Sequence, residues 1–257
     1  MSHQDNPVLV ESVDGIQIIT INRPYAKNSI NTVTAEAIGA ALDELNERAD
    51  LTAGIITGSG GVFCAGMDLK AFLAGERPSI PVRGFAGIVE QSSDKPLIAA
   101  VEGYALAGGF EIALACDIIV ASRDAKFGLP EVKRGLVAAG GGLMRLPQRV
   151  PYHLAMEWAL TGDLIDASEA HRVSLANHIT EPGAALEKAL EVARRIVANG
   201  PLAVKATKGI IAKSSDWSLT ESFDRQREIS EPVRASEDAK EGARAFTEKR
   251  SPRWQGR

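Results

Sequence analysis

The stretch Pro96-Leu97-Ile98-Ala99-Ala100-Val101-Glu102-Gly103-Tyr104-Ala105-Leu106-Ala107-Gly108-Gly109-Phe110-Glu111-Ile112-Ala113-Leu114-Ala115-Cys116 reads as strand, glycine turn and short helix. Pro96 opens an unbroken apolar run, the pattern of a strand covered on both faces. Gly103 and Gly108-Gly109 bracket a turn into an apolar helix interrupted by one charge, Glu111. A second acid, Glu131, follows Pro130 in Phe127-Gly128-Leu129-Pro130-Glu131-Val132. Burying a carboxylate without a use is costly, so two of them beside glycine-rich turns read as acid/base machinery.

Working toward the amino terminus, Val8-Leu9-Val10 and Ile16–Ile21 are strand-like and split by Asp14-Gly15, a hairpin signal. Asn22-Arg23-Pro24 ends that hairpin. Thr34 is placed to cap a helix reaching Arg48, with Ala37, Ile38, Ala41, Leu42 and Leu45 on one face. Ala53–Thr57 is a short buried strand, Gly58–Gly61 a loop, and Val62–Gly66 an extended segment leading into a helix near Asp68. Residues 75–81 read as a loop, followed by a helix to about Ser92. Beyond the central stretch, Asp117–Ala121 is a strand and Gly140-Gly141-Gly142 introduces another helix. From about residue 183 four helices are predicted, over 184–198, 202–213, 219–229 and 235–249. Their dividers are Pro182, Gly200-Pro201, Ser214-Ser215-Asp216 and Pro232. The expected class is therefore α/β, strand–strand–helix units first and a helical tail last.

A chain of 257 residues is enough for one large domain, or a core with a helical appendage. Hydrophobic residues at 45% and charged residues at 24% are ordinary for a globular protein. The net charge of −4 argues against nucleic acid as a partner. Cys64 and Cys116 form no C-x-x-C pair and sit among small or apolar neighbours, so they read as buried hydrophobes of a reducing compartment. Met1–Pro7 contains no apolar stretch resembling a signal peptide, and no run approaches the ~20 apolar residues of a membrane span. The expected location is the cytoplasm, with no membrane partner. The histidines His3, His153, His171 and His178 show no metal-ligand spacing, and neither a Walker-type phosphate loop nor a G-x-S-x-G elbow occurs. No metal site and no permanently bound cofactor is expected.

Two glycine turns carry more. In Ala65-Gly66-Met67-Asp68 and in Leu106-Ala107-Gly108-Gly109 the chain passes through glycine into a helix start. Helix N-termini leave backbone N–H groups unpaired with partial positive charge. Two such groups converging on one oxygen would form an oxyanion hole; the alternative is two ordinary tight turns. Glu111 and Glu131 each fall in a first helical turn, where an acid alone would simply complement the helix dipole. Together they suggest a shared pocket. Burial and mutual repulsion raise a carboxyl pKa while helix N-termini lower it, and the roles of the two acids stay open at this level.

These residues resemble the enoyl-CoA hydratase/isomerase (crotonase) superfamily. The landmarks are Asn22-Arg23-Pro24 with Asn28, Phe63–Lys70, the block from Lys95 to Glu131, and the tail segments Glu237–Gly242 and Phe246–Arg250. Gly108–Ala115, Phe246–Arg250 and Trp254–Arg257 are also similar to carnitinyl-CoA dehydratases. Glu102 stands where an asparagine is frequent, and Gly135–Gly140 lacks a proline common among the hydratases. The resemblance implies a crotonase-like α/β spiral of ββα units over residues 1–195, and a helical oligomerisation region over 196–257 that forms a homotrimer or dimer of trimers. It implies a coenzyme A thioester as substrate and reversible hydration of a trans-2-enoyl-CoA, as in fatty-acid degradation; carnitinyl-CoA dehydration and enoyl-CoA isomerisation are the alternatives, and a non-catalytic acyl-CoA-binding subunit is a more remote one. By the same likeness the amides of Met67 and Gly108 would bind the thioester oxygen, and Glu111 and Glu131 would be the catalytic acids. Lys27 and Lys70 are candidates for the CoA phosphates or ribose. The resemblance lays CoA along the Ala65 carbonyl and the stretch Met67, Asp68, Leu69 and Lys70. The acyl group would lie near Phe72, residues 75–90 and Leu136–Leu143.

Overall fold

The computed structural model describes residues 6–257. Residues 1–5, His3 among them, lie outside that range. In chain order the elements are β1 (Val8–Val13), β2 (Ile16–Ile21), α1 (Thr32–Glu47), β3 (Ala53–Gly58), α2 (Leu69–Leu73), β4 (Ser79–Ile80), β5 (Gly84–Phe85), β6 (Leu97–Val101) and β7 (Tyr104–Leu106). They continue with α3 (Gly108–Ala115), β8 (Ile118–Ser122), β9 (Lys126–Gly128), a 3₁₀ turn at Pro130–Arg134, α4 (Gly142–Arg149), α5 (Tyr152–Thr161), β10 (Ile165–Asp166), α6 (Ala167–Arg172) and β11 (His178–Thr180). The last four helices are α7 (Ala185–Val197), α8 (Pro201–Ser214), α9 (Ser222–Arg234) and α10 (Glu237–Thr247).

The main sheet has the order β1-β2-β3-β6-β8-β11. Only β1–β2 is antiparallel; the remaining pairs are parallel. Ile16, Ile55, Ile98 and Val120 face one way and are covered by Ala185, Ala189, Val192 and Ala193 of α7. The other face belongs to the larger core, with Ile19, Ile56, Leu97 and Ile119 beneath α1 and α3. A second sheet, β10-β9-β7, stands apart from the first. In it β7 runs parallel to β9, with Leu106 opposite Gly128. The chain leaves these neighbouring strands at the same end, into α3 from β7 and into the 3₁₀ turn from β9. That shared exit is what brings Glu111 and Glu131 to one place.

The α/β architecture of strand–strand–helix units with a helical tail matches the reading from sequence. Several local expectations are corrected. Thr34 does not cap α1; Asn31 does, its Oδ1 accepting from the Thr34 amide at 3.1 Å and from the Thr34 hydroxyl at 2.6 Å. No helix runs to Ser92. Residues 79–85 form a small antiparallel ribbon, and Val82, Gly84, Ala86 and Gly87 all have φ between 56° and 71°, which interrupts any helix. Gly87 is required there, since an added Cβ would lie 2.4 Å from the Ala35 carbonyl oxygen. Pro232 does not divide two helices but sits inside α9; the break comes at Ser236, whose hydroxyl caps α10 through the Ala239 amide. The small sheet, α5 and α6 go beyond the expected elements; the sheet's strands of two or three residues leave too short an alternation to read. The position 195/196 falls inside α7. Among the described residues no helix is long and apolar enough to cross a membrane.

Candidate active site

Met67 is held by its neighbours rather than by its own hydrogen bonds. Ile30 pairs with it as a parallel bridge: the Ile30 amide donates to the Gly66 carbonyl and the Asp68 amide donates to the Ile30 carbonyl, both at 2.8 Å. The Met67 N–H between them meets no acceptor among the described residues. Asp68 fixes the start of the next helix. Its Oδ1 accepts from the Lys70 and Ala71 amides at 3.0 and 3.3 Å, capping α2, and its Oδ2 pairs with Arg23 at 2.9 Å. Burial lifts the Asp68 carboxyl, but the Arg23 guanidinium and the two amides more than offset this and hold it low. Asn28 anchors the other side, accepting from the Arg23 amide and donating to the Ser59 carbonyl, both at 2.8 Å.

Gly108 is the first residue of α3, so its N–H has no intrahelical acceptor. Ala107 before it takes φ 54°, and Ala107 donates to the Gly128 carbonyl at 2.9 Å. The two glycine turns touch. A Cβ on Gly66 would lie 3.2 Å from the Gly108 nitrogen, and a Cβ on Gly109 would lie 2.1 Å from the Cys64 carbonyl oxygen. Only glycine permits this approach. Met67 and Gly108 consequently line one cleft, of about 510 Å³.

Glu111 and Glu131 line the same cleft. Glu111 is 4% exposed, and its Oε1 accepts from the Gly140 amide at 2.7 Å and the Gly142 amide at 3.0 Å. Burial pushes its pKa up, while those amides and the nearby Arg145 cation pull against the rise. Glu131 has a buried Oε2 with no hydrogen-bond partner. Burial raises its pKa to about 7, and the charge of Glu111 adds to the rise. One carboxylate is thus held by amides and the other is left with an oxygen to spare.

The other expected residues divide. Lys27, Ala65 and Leu69 line the cleft; Asp68 and Lys70 do not. The Ala65 amide donates to the Lys27 carbonyl at 3.0 Å, and the Lys27 ammonium stands 5.9 Å from the Tyr104 ring centre at the cleft mouth. Asp68 is occupied by Arg23 and by its helix. At the far end Phe72, Phe85, Leu136 and Val137 face in, as expected for those segments, whereas Leu143 does not. Glu102 caps α7 instead, accepting from the Gly183 and Ala185 amides at 3.0 and 2.9 Å. Both cysteine thiols are buried and pushed up, Cys64 to about 12, which leaves them inert. The Gly140 and Gly142 amides that hold Glu111 were missed by sequence reasoning. Their signal is the run of three glycines, which does more than open a helix.

Comparison with known proteins places the chain in a family. The family described as enoyl-CoA hydratase/isomerase matches residues 11–257. Enoyl-CoA hydratase EchA19 of Mycobacterium tuberculosis is 44% identical over 97% of this chain and 96% of its own. Carnitinyl-CoA dehydratase of Proteus mirabilis is 42% identical over 93% of this chain and 94% of its own. The crystal structure of enoyl-CoA hydratase EchA1 from Mycobacterium marinum, 59% identical, superposes with a TM-score of 0.97 and covers 98% of this chain and 100% of that one. With the family matching nearly end to end and the two acids sharing one cleft, this chain belongs to the enoyl-CoA hydratase/isomerase family.

Proposed function

We propose that the protein is an enoyl-CoA hydratase, adding water reversibly to a trans-2-enoyl-CoA to give a 3-hydroxyacyl-CoA. The observation that carries this reading is the orphan Oε2 of Glu131 beside the amide-held Glu111 in one cleft. In the proposed reaction the Met67 and Gly108 N–H groups donate to the thioester oxygen, where negative charge grows as water attacks the β-carbon. Such a donor contributes about 2.7–4 kcal/mol to the transition state. Glu111 accepts the proton of the attacking water. The Gly140 and Gly142 amides hold one of its oxygens and favour the ionised form, leaving the other for water. Glu131, with a carboxyl near 7, carries the proton that goes to the α-carbon. The product has gained one water, and Glu131 recovers its proton from Glu111 through solvent.

Lys27 at the cleft mouth, the Ala65 carbonyl and the Leu69 edge make that end the proposed seat of CoA, with the acyl group toward Phe85 and Leu136. Carnitinyl-CoA dehydration is the second reading, supported by the 42% identical relative. It runs the same proton transfers backward. Incubation with crotonyl-CoA followed by mass spectrometry tests the first reading. The expected product is heavier by one water. An unchanged mass with a moved double bond would mean isomerisation, and no reaction there with dehydration of carnitinyl-CoA would favour the second reading.

A further inference from the structure

Arg145 lies in the first turn of α4, a few residues beyond the amides that hold Glu111. Its guanidinium donates to the Gly140 carbonyl at 3.3 Å and to the Val89 carbonyl. It also lies close against Gly141, where an added Cβ would sit 2.2 Å from Nη1 and where φ is 91°. Two of the other partly buried arginines have carboxylate partners, and a third has a helix-end carbonyl. Arg23 pairs with Asp68, Arg83 with Asp43, and Arg149 donates to the Leu114 carbonyl at the end of α3. Arg145 has two carbonyl partners, and the carboxylate whose charge it feels is that of Glu111. A cation withdrawn from water onto neutral carbonyls is unfavourable unless its charge or its fork is used.

We propose that Arg145 is a positioning residue for the reaction: it clamps the Gly140–Gly142 turn onto Glu111 and ties that turn to the segment carrying Val89. This rests on the reading of Glu111 as the base that takes the proton from water. The clamp does two things. It keeps two amides aimed at one oxygen of Glu111, and it sets a positive charge behind the carboxylate. Both favour the ionised form. Because Val89 belongs to the segment after the β4–β5 ribbon, the same side chain also couples the wall near Phe85 to the base.

Around Glu111 the 3₁₀ turn brings Glu131 and α4 brings Arg145; Lys27, Arg77, Glu90, Tyr104 and Arg134 also line the cleft, Arg134 acting on Glu131. Arg149, also on α4, faces Arg145, Asp117 and Cys116. Without Arg145 the Glu111 carboxyl rises, so activity is lost at a higher pH on the acid side, while the alkaline limb set by Glu131 moves less.

The test is the pH profile of kcat/KM for wild type, Arg145→Met, Arg145→Lys and Glu111→Gln, with melting curves for each. In Arg145→Met the acid limb is expected to move up by about one pH unit, so that the loss grows toward about tenfold at pH values below the limb and fades well above it. Arg145→Lys, which keeps the charge without the fork, is expected to restore part of the limb. A uniform loss with an unmoved limb, or a wild-type profile, would overturn the proposal if Glu111→Gln is inactive. A Glu111→Gln variant with full turnover would remove the base reading and this inference with it. Should Arg145→Met fail to fold, Arg145→Gln, which keeps a donor for the Gly140 carbonyl, carries the same comparison.

Discussion

Glu131 bears a cost that can be measured apart from catalysis. Its carboxyl stands at about 7 in the fold against an ordinary 4.5. Between those values the folded chain retains a proton that the unfolded chain has released. Stability therefore falls as pH rises through that window, and the whole penalty is present above it. Glu131→Gln removes the penalty. Discounted for the partial exposure of the side chain, its advantage over wild type is expected to grow by about 1–2 kcal/mol between pH 4.5 and pH 8. Denaturant titrations at both pH values check this; an advantage that stays constant would mean that Glu131 is ionised in the fold. At this scale the two acids are legible in the sequence, because a charge inside an apolar run is conspicuous. Arg145 is not, since an arginine near the start of an amphipathic helix looks like any solvated one, and its partners are carbonyls, one of them distant in sequence.

Turns between elements, rather than the elements themselves, make the site. β7 and β9 leave the small sheet side by side, and the β3 exit reaches them through Cys64, whose backbone pairs with Ala105. Gly140 is the sharpest point of this arrangement. Its backbone angle is ordinary, yet a Cβ there would lie 2.5 Å from Glu111 Oε2. Gly140→Ala is expected to fold normally, displace the carboxylate and lower kcat by about 10²-fold. Steady-state kinetics beside a melting curve decide it; a folded variant with full turnover would show that Glu111 has no need of that position. The buried strands and the helix bearing Glu111 are readable because their apolar runs are long and bounded by Gly and Pro. The segment before Ser92 imitates a helix through its alternating apolar and small residues, while its positive φ angles come from packing against α1.

Across the whole molecule, the described residues bury one side of the sheet under α7 and the other under α1 and α3, and leave α8 and α9 with no fully buried residue. Ile211, Leu219 and Phe223 on or beside those helices are 69–95% exposed, as is Phe246 on α10 at 85%. Apolar exposure of that extent suits contact with further copies of the chain. Light scattering is expected to give about three or six times the monomer mass of 27.3 kDa; a monomeric peak would contradict it. The α/β order and the helical tail are legible from the sequence, but what covers the tail is not written in a single chain's periodicity. Two acids working on one thioester are the centre of the proposed chemistry. Turnover of crotonyl-CoA by Glu111→Gln and Glu131→Gln, each with its CoA-ester affinity, tests this most directly. Each kcat is expected to fall by at least about 10²-fold with binding largely kept; full turnover in both variants would contradict it.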